Sequence, residues 1–394
     1  MVERQGIIVE HRPGIRTAQS CKTDAREAVQ EFHAAVAQPE TALVIFFCSS
    51  VYDLTQLAEE LKRLFGGVQV VGCTTAGEIG PAGCLVHSLT GASFSASCFA
   101  AVSGRMGHLQ QFEASAGQLF TQELLQRLES QVPQANAENS FALLLIDGLS
   151  VREEPVTRTF QRTLGGLPLV GGSAGDGTRY GRTHVYLDGS FETDSAALIL
   201  VSTPLPFRLF KTQHFVVTEE RMVVTEVDWV HRNVKEINGL PAAQEYARIL
   251  GVDVGELTPA HFAAWPVVVM IDGGNYVRAI QQANPDGSLT FFCAIEEGLV
   301  LRVAKGVDLL ANLENNFSQI VAEIGPPQLV IACDCILRKL EATQKALVED
   351  INAVFCRNNT IGFNTYGEQF HGVHVNQTLV GIAIGAATTG ADDA

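Results

Sequence analysis

The run Val70-Val71-Gly72-Cys73-Thr74-Thr75-Ala76-Gly77-Glu78 decides the fold. A short apolar segment ends in a Gly-rich turn that carries a hydroxyl and a carboxylate. The device returns as Gly362-Phe363-Asn364-Thr365-Tyr366-Gly367-Glu368, and in shortened form as Gly171-Gly172-Ser173-Ala174-Gly175-Asp176. Each copy follows the same elements. A continuous apolar run (42–48, 141–147 or 328–333) comes first, and a segment of helical spacing follows it. The helical segments are 53–65, 153–163 and 337–354. Strand, helix, strand and Gly turn therefore occur three times, and further short strands follow each turn. The three apolar runs are expected to be central strands, because they are apolar on both faces.

The units are long and interrupted, unlike tandem solenoid repeats. They predict an α/β fold of two mixed-sheet domains with helices packed on the sheets. With 394 residues the chain has room for two or three domains at about 100–200 residues each. The segment Thr203-Pro204-Leu205-Pro206 places the boundary, giving domains over 1–203 and 204–394. Within the second, Phe207 to Val217 reads as one strand, and Pro285-Asp286-Gly287 reads as a hairpin turn. Gly77, Gly175 and Gly367 are expected at equivalent turns, with Glu78, Asp176 and Glu368 converging between the units.

A net charge of −16 and the lack of any Lys/Arg-rich run argue against a nucleic-acid surface. No apolar stretch reaches the ~18–20 residues of a membrane span, so a cytoplasmic location is expected. Nine scattered cysteines, several inside apolar runs, suit reduced thiols better than a disulfide framework. There is no nucleotide-binding glycine motif, no phosphate-binding lysine and no nucleophile elbow.

The chain resembles the FIST sensory proteins, with an N-terminal and a C-terminal FIST domain. The resemblance rests on Gly72 to Gly80, Val234 to Ala243, Asp334-Cys335-Ile336-Leu337-Arg338, Gly362 to Glu368 and Asn376-Gln377-Thr378-Leu379. It implies a ligand-sensing module that works with signal-transduction partners and is not an enzyme. Phe46-Phe47-Cys48-Ser49-Ser50, Gly80-Pro81-Ala82-Gly83 and Lys211 to Phe215 resemble the NosP branch. That branch is implied to bind haem b, to sense nitric oxide and to regulate a partner histidine kinase.

Haem needs an apolar slot and an axial donor. His214, among Phe210, Phe215 and Val216, is the first candidate for the iron, and His374 the second. Each could equally be a histidine satisfied inside a sheet. The pair His371 and His374 has metal-ligand spacing without an accompanying Cys or acid set. The alternative to haem is a binding module for a small polar metabolite such as an amino acid. Thr75, Glu78, Arg338, Thr365 and Glu368 would form that site; the turn residues could instead tie down their own turns, and Arg338 could form a local ion pair with Asp334. A third reading pairs Glu78 with Glu368 as acid and base. Homo-oligomers are compatible with all three.

Overall fold

The computed structural model describes residues 8–271 and 274–387. The fold is mixed α/β, and its three repeat units form a closed cycle. Each unit contributes four equivalent strands to its own sheet, and unit one adds a fifth, Ile8–Arg12, at its edge. The four begin with an opening strand (Ile15–Ser20, Ala100–Gly107 or Phe207–Thr212), outermost in units two and three. A closing antiparallel strand comes next (Leu89–Ser95, Ser195–Ser202 or Leu379–Ile384), and then a parallel pair. The first strand of each pair (Thr41–Ser49, Ser140–Ile146 or Leu329–Cys335) is interior to its sheet, as its double-faced apolar pattern requires.

The last two places in each sheet, beyond the parallel pair, are filled by exchange. The hairpin of unit one, Glu78–Gly80 and Gly83–Leu85, pairs with Thr360–Thr365 of unit three. The hairpin of unit three, Glu368–Phe370 and Val373–Val375, pairs with Leu169–Ser173 of unit two. The hairpin of unit two, Val185–Leu187 and Ser190–Glu192, pairs with Gln69–Thr75 of unit one. Each sheet thus holds a hairpin from another unit. The inner faces share one core that includes Phe47, Leu145, Ile331 and Val380, with Phe47 stacked on Phe363 at 4.6 Å.

Helices cover the outer faces. Leu54–Leu64 begins where the Asp53 carboxylate accepts the amides of Thr55 and Gln56, and it buries Leu57 and Leu61. The stretch 337–354, read as one helix, is two: Ile336–Gln344 and Val348–Arg357. Ala346 between them has φ 53°, a left-handed conformation that ends an α-helix.

Register assigns equivalent positions. Cys73, Phe363 and Gly172 face Val185, Glu78 and Glu368 respectively on the exchanged hairpins. Val185, and not Asp176, therefore stands where Glu78 and Glu368 stand. The Gly turns of units one and three are equivalent, but unit two carries a longer loop, 174–184, and Gly175 lies within it. Asp176 resembles the two glutamates in sequence only.

In units one and two the opening strand leads directly to a helix. In unit three an eight-stranded sheet over 215–306 is inserted between Phe207–Thr212 and Leu309–Ile324. The expected single strand from Phe207 to Val217 is broken there, and His214 lies in the break. The Val307 amide donates to the His214 carbonyl at 2.8 Å, so the entry and exit of this module meet at His214. The hairpin around Pro285-Asp286-Gly287 is present, Ile280–Ala283 against Leu289–Phe291.

Candidate ligand-binding cleft

Units one and three share a three-residue clasp whose members are offset by the same 290 positions (365 − 75, 368 − 78, 378 − 88). The Thr75 hydroxyl donates to Glu78, and Glu78 Oε2 accepts the amide and hydroxyl of Ser88, both at 3.0 Å. The Thr365 hydroxyl donates to Glu368, and Glu368 Oε2 accepts the Thr378 amide at 3.2 Å and its hydroxyl at 2.7 Å. Each clasp ties a turn to the start of its closing strand. Burial pushes the Glu78 carboxyl up to about 7 and Glu368 up to about 8, against the bonds they accept. Each carboxyl thus serves its own turn.

The surroundings of the two clasps differ. Thr365 and Glu368 are 0% exposed, and Thr75 and Glu78 are buried nearly as deeply, at 2% and 1%, but it is the second pair that borders a cavity. Thr75 and Glu78 line a cleft of about 220 Å³ between the turn of unit one and the long loop of unit two. Ser49, Ser50 and His87 add to one wall, Asp176 and Arg179 to the other. Burial opposes ionisation of Asp176, but bonds from the Tyr366 hydroxyl and the amides of Arg182, Gly181 and Tyr180 outweigh it and hold its carboxyl below the ordinary value. Those bonds also fix the loop. Arg179 is exposed and anchored by Nε on the Asp176 carbonyl at 3.0 Å and Nη2 on Ser50 Oγ at 2.6 Å. The cleft therefore has carboxylates on its floor and a guanidinium at its rim.

The corresponding place in unit three is filled by the chain itself. Position 377 matches position 87 (87 + 290), and both residues have positive φ, 50° and 65°. Gln377 Nε2 donates to the carbonyls of Phe262 at 3.3 Å and Ala263 at 2.9 Å, in a helix of the inserted module. His87 has no such cover and is exposed.

Both ring nitrogens of His214 are engaged. Arg338 Nη1 lies 2.9 Å from Nδ1, and Nε2 lies 2.7 Å from Glu341 Oε2. An arginine can only donate, so Nδ1 accepts and Nε2–H donates to Glu341. Burial first, and then the Arg338 charge, keep the imidazole pKa low. Arg338 is itself held by Asp334 Oδ1 at 2.6 Å, the local ion pair that was the alternative to ligand contact. This chain pins the neck of the inserted module to Ile336–Gln344.

His374 is 2% exposed, and burial lowers its pKa to about 4. Its Nδ1 lies 3.2 Å from Gln369 Nε2. A Cβ on Gly367 would fall 2.2 Å from its ring, so nothing can be laid beside that face. These residues do not fit a haem: iron at His214 would displace Glu341 or Arg338, and the cavity that reaches Arg338 holds only about 60 Å³. Among the described residues, no group of three or more His, Cys, Asp or Glu is placed to hold a metal ion.

Ser49, His87, Arg179 and Lys339 escaped the sequence reading as ligand-site candidates. The shared 290-residue offset was a signal for His87. Nothing local marked Arg179, whose role depends on a loop folding across to another unit.

The FIST N domain matches residues 42–240 and the FIST C domain matches residues 242–371. No curated protein matches the chain. Among solved structures, a cyanuric acid hydrolase from A. caulinodans is similar at 8% identity, over 94% of this chain and 99% of that one, with a TM-score of 0.38. No helix among the described residues is long and apolar enough to cross a membrane. FIST domains are sensory modules of signal transduction, and with both of them in order this chain belongs to the FIST family.

Proposed function

We propose that this protein senses a small zwitterionic metabolite of amino-acid size in the cleft of unit one, and passes the signal to a partner such as a histidine kinase. One observation carries the reading: the inserted module covers the place beside the clasp of unit three, while a cleft beneath Arg179 borders its counterpart in unit one. A ligand carboxylate suits the Arg179 fork, and an ammonium suits the carboxylate of Glu78, with Asp176 adding negative charge nearby although its own oxygens are fully bonded. The Glu78 carboxylate has four lone-pair sites, so it can accept an ammonium proton beside its bonds to Thr75 and Ser88. A porphyrin is far too large for this cleft.

Thermal denaturation of the full chain with each of the twenty L-amino acids tests the proposal. One or a few should raise Tm saturably in the wild type and not in Arg179→Ala. Affinity should also rise about tenfold between pH 6 and pH 8, because the ammonium prefers ionised Glu78 and that carboxyl titrates at about 7. No shift with any amino acid, together with a Soret band after mixing with haemin, would replace this reading by the haem one.

A further inference from the structure

We propose a second ligand site behind the Gly77 turn, which takes a short-chain monocarboxylate such as propionate or butyrate. The cavity of about 60 Å³ lies between the helices Ile336–Gln344 and Val348–Arg357 of unit three and the exchanged hairpin of unit one. Its polar end holds Arg338, Lys339 and one carboxylate, Asp334, with Asn352 and Asn364, and the rest of the wall includes Leu309, Ala342, Ile351 and Phe355.

The two cations differ. Asp334 neutralises Arg338. Lys339 Nζ donates to the Ala76 carbonyl at 2.9 Å, and among the described residues no carboxylate lies within ion-pair distance of it. A half-buried ammonium with only a carbonyl partner favours an anion beside it. The apolar wall selects the kind of anion. Phosphate or sulfate would leave most of its oxygens against hydrocarbon, at a cost of several kcal/mol. A carboxylate with a short alkyl tail matches both ends.

Position 77 explains how the lysine gets there. A Cβ on Gly77 would sit 2.2 Å from Lys339 Nζ and 2.6 Å from Asn364 Oδ1. Its φ of 150° is also one that L side chains rarely adopt. Lys339 therefore lies directly behind the turn whose front lines the cleft, and the two sites stand back to back. This second site does not depend on what fills the first.

Acetate, propionate, butyrate and hexanoate should be titrated into the full chain at constant ionic strength, with chloride and phosphate as controls, and Tm followed. Propionate and butyrate should raise Tm saturably; chloride and phosphate should not. Lys339→Met should weaken half-saturation at least about tenfold, by loss of the charge-assisted bond. Ala342→Leu, which fills the apolar end and leaves the cations alone, should abolish the response. If Lys339→Met does not fold, Ala342→Leu decides alone. No saturable rise in the wild type, an equal rise with phosphate, or an undiminished response in Ala342→Leu would overturn the proposal.

Discussion

Replacing Glu368 by Ala should lower the stability of the protein by about 3–5 kcal/mol, and replacing it by Gln should leave a folded protein with less pH dependence. The side chain is 0% exposed and is bonded by the Thr365 hydroxyl and by the amide and hydroxyl of Thr378. Alanine leaves a cavity and strands those groups in a water-free site. Gln has the shape and hydrogen-bond pattern of the protonated acid. Its oxygen can accept from Thr378 and its amide can donate to the Thr365 hydroxyl. The sign of the pH effect follows from the raised pKa. Between the ordinary 4.5 and about 8 the folded protein holds a proton that the unfolded chain has released. The contribution is full below pH 4.5 and is lost as pH rises through 8, by about 5 kcal/mol at most. Glu78 adds the same trend up to about pH 7. Urea unfolding at pH 5, 6.5 and 8 should show the wild type weakening more steeply than Glu368→Gln. The variant should be the more stable of the two at pH 8, and parallel slopes would refute the argument.

The second large effect is at Arg232. Its Nη2 lies 2.7 Å from Glu153 and 2.5 Å from Glu154, and its Nη1 donates to the Phe292 carbonyl at 2.5 Å. Arg232 belongs to the inserted module and the two glutamates open a helix of unit two, so the group joins the module to unit two. Arg232 and Glu153 are 5% and 1% exposed. Burial raises Glu153 to about 7, while the Arg232 charge overcomes burial at Glu154 and holds it low. Removing the guanidinium leaves two carboxyls in a buried site with one cation gone, which costs about 3–5 kcal/mol. Arg232→Met should lose that amount in urea unfolding. Adding Glu153→Gln and Glu154→Gln to Arg232→Met should restore a large part of it, because the penalty comes from uncompensated charge. If the triple variant is no more stable than Arg232→Met, the loss is one of packing.

The elements that could be read from sequence are those whose pattern is local. The runs at 42–48, 141–147 and 328–333 are apolar on both faces because a shared core lies on one side and helices on the other. The exchange of hairpins could not be read, because nothing in Glu78–Leu85 names Thr360–Thr365 as its partner strand. The unit-two turn misled for a related reason: Gly-Asp looks like Gly-Glu, and only register shows that Val185 takes the glutamate's place. His214 shows the same limit from the side of chemistry. Phe210 and Phe215 suggested an apolar pocket, but the groups that engage the ring, Arg338 and Glu341, lie 124 and 127 residues away. Thr75 and Glu78 were found as a pair, but the cation that faces them comes from the loop of another unit.

Isothermal titration at pH 8 with the amino acid that gives the largest thermal shift is the most direct test of the ligand-sensing cleft. The wild type should bind one equivalent per chain, and Arg179→Ala, which changes only an exposed rim residue, should bind at least about tenfold more weakly. Equal affinity in the two proteins, or no binding of any amino acid to the wild type, would contradict it.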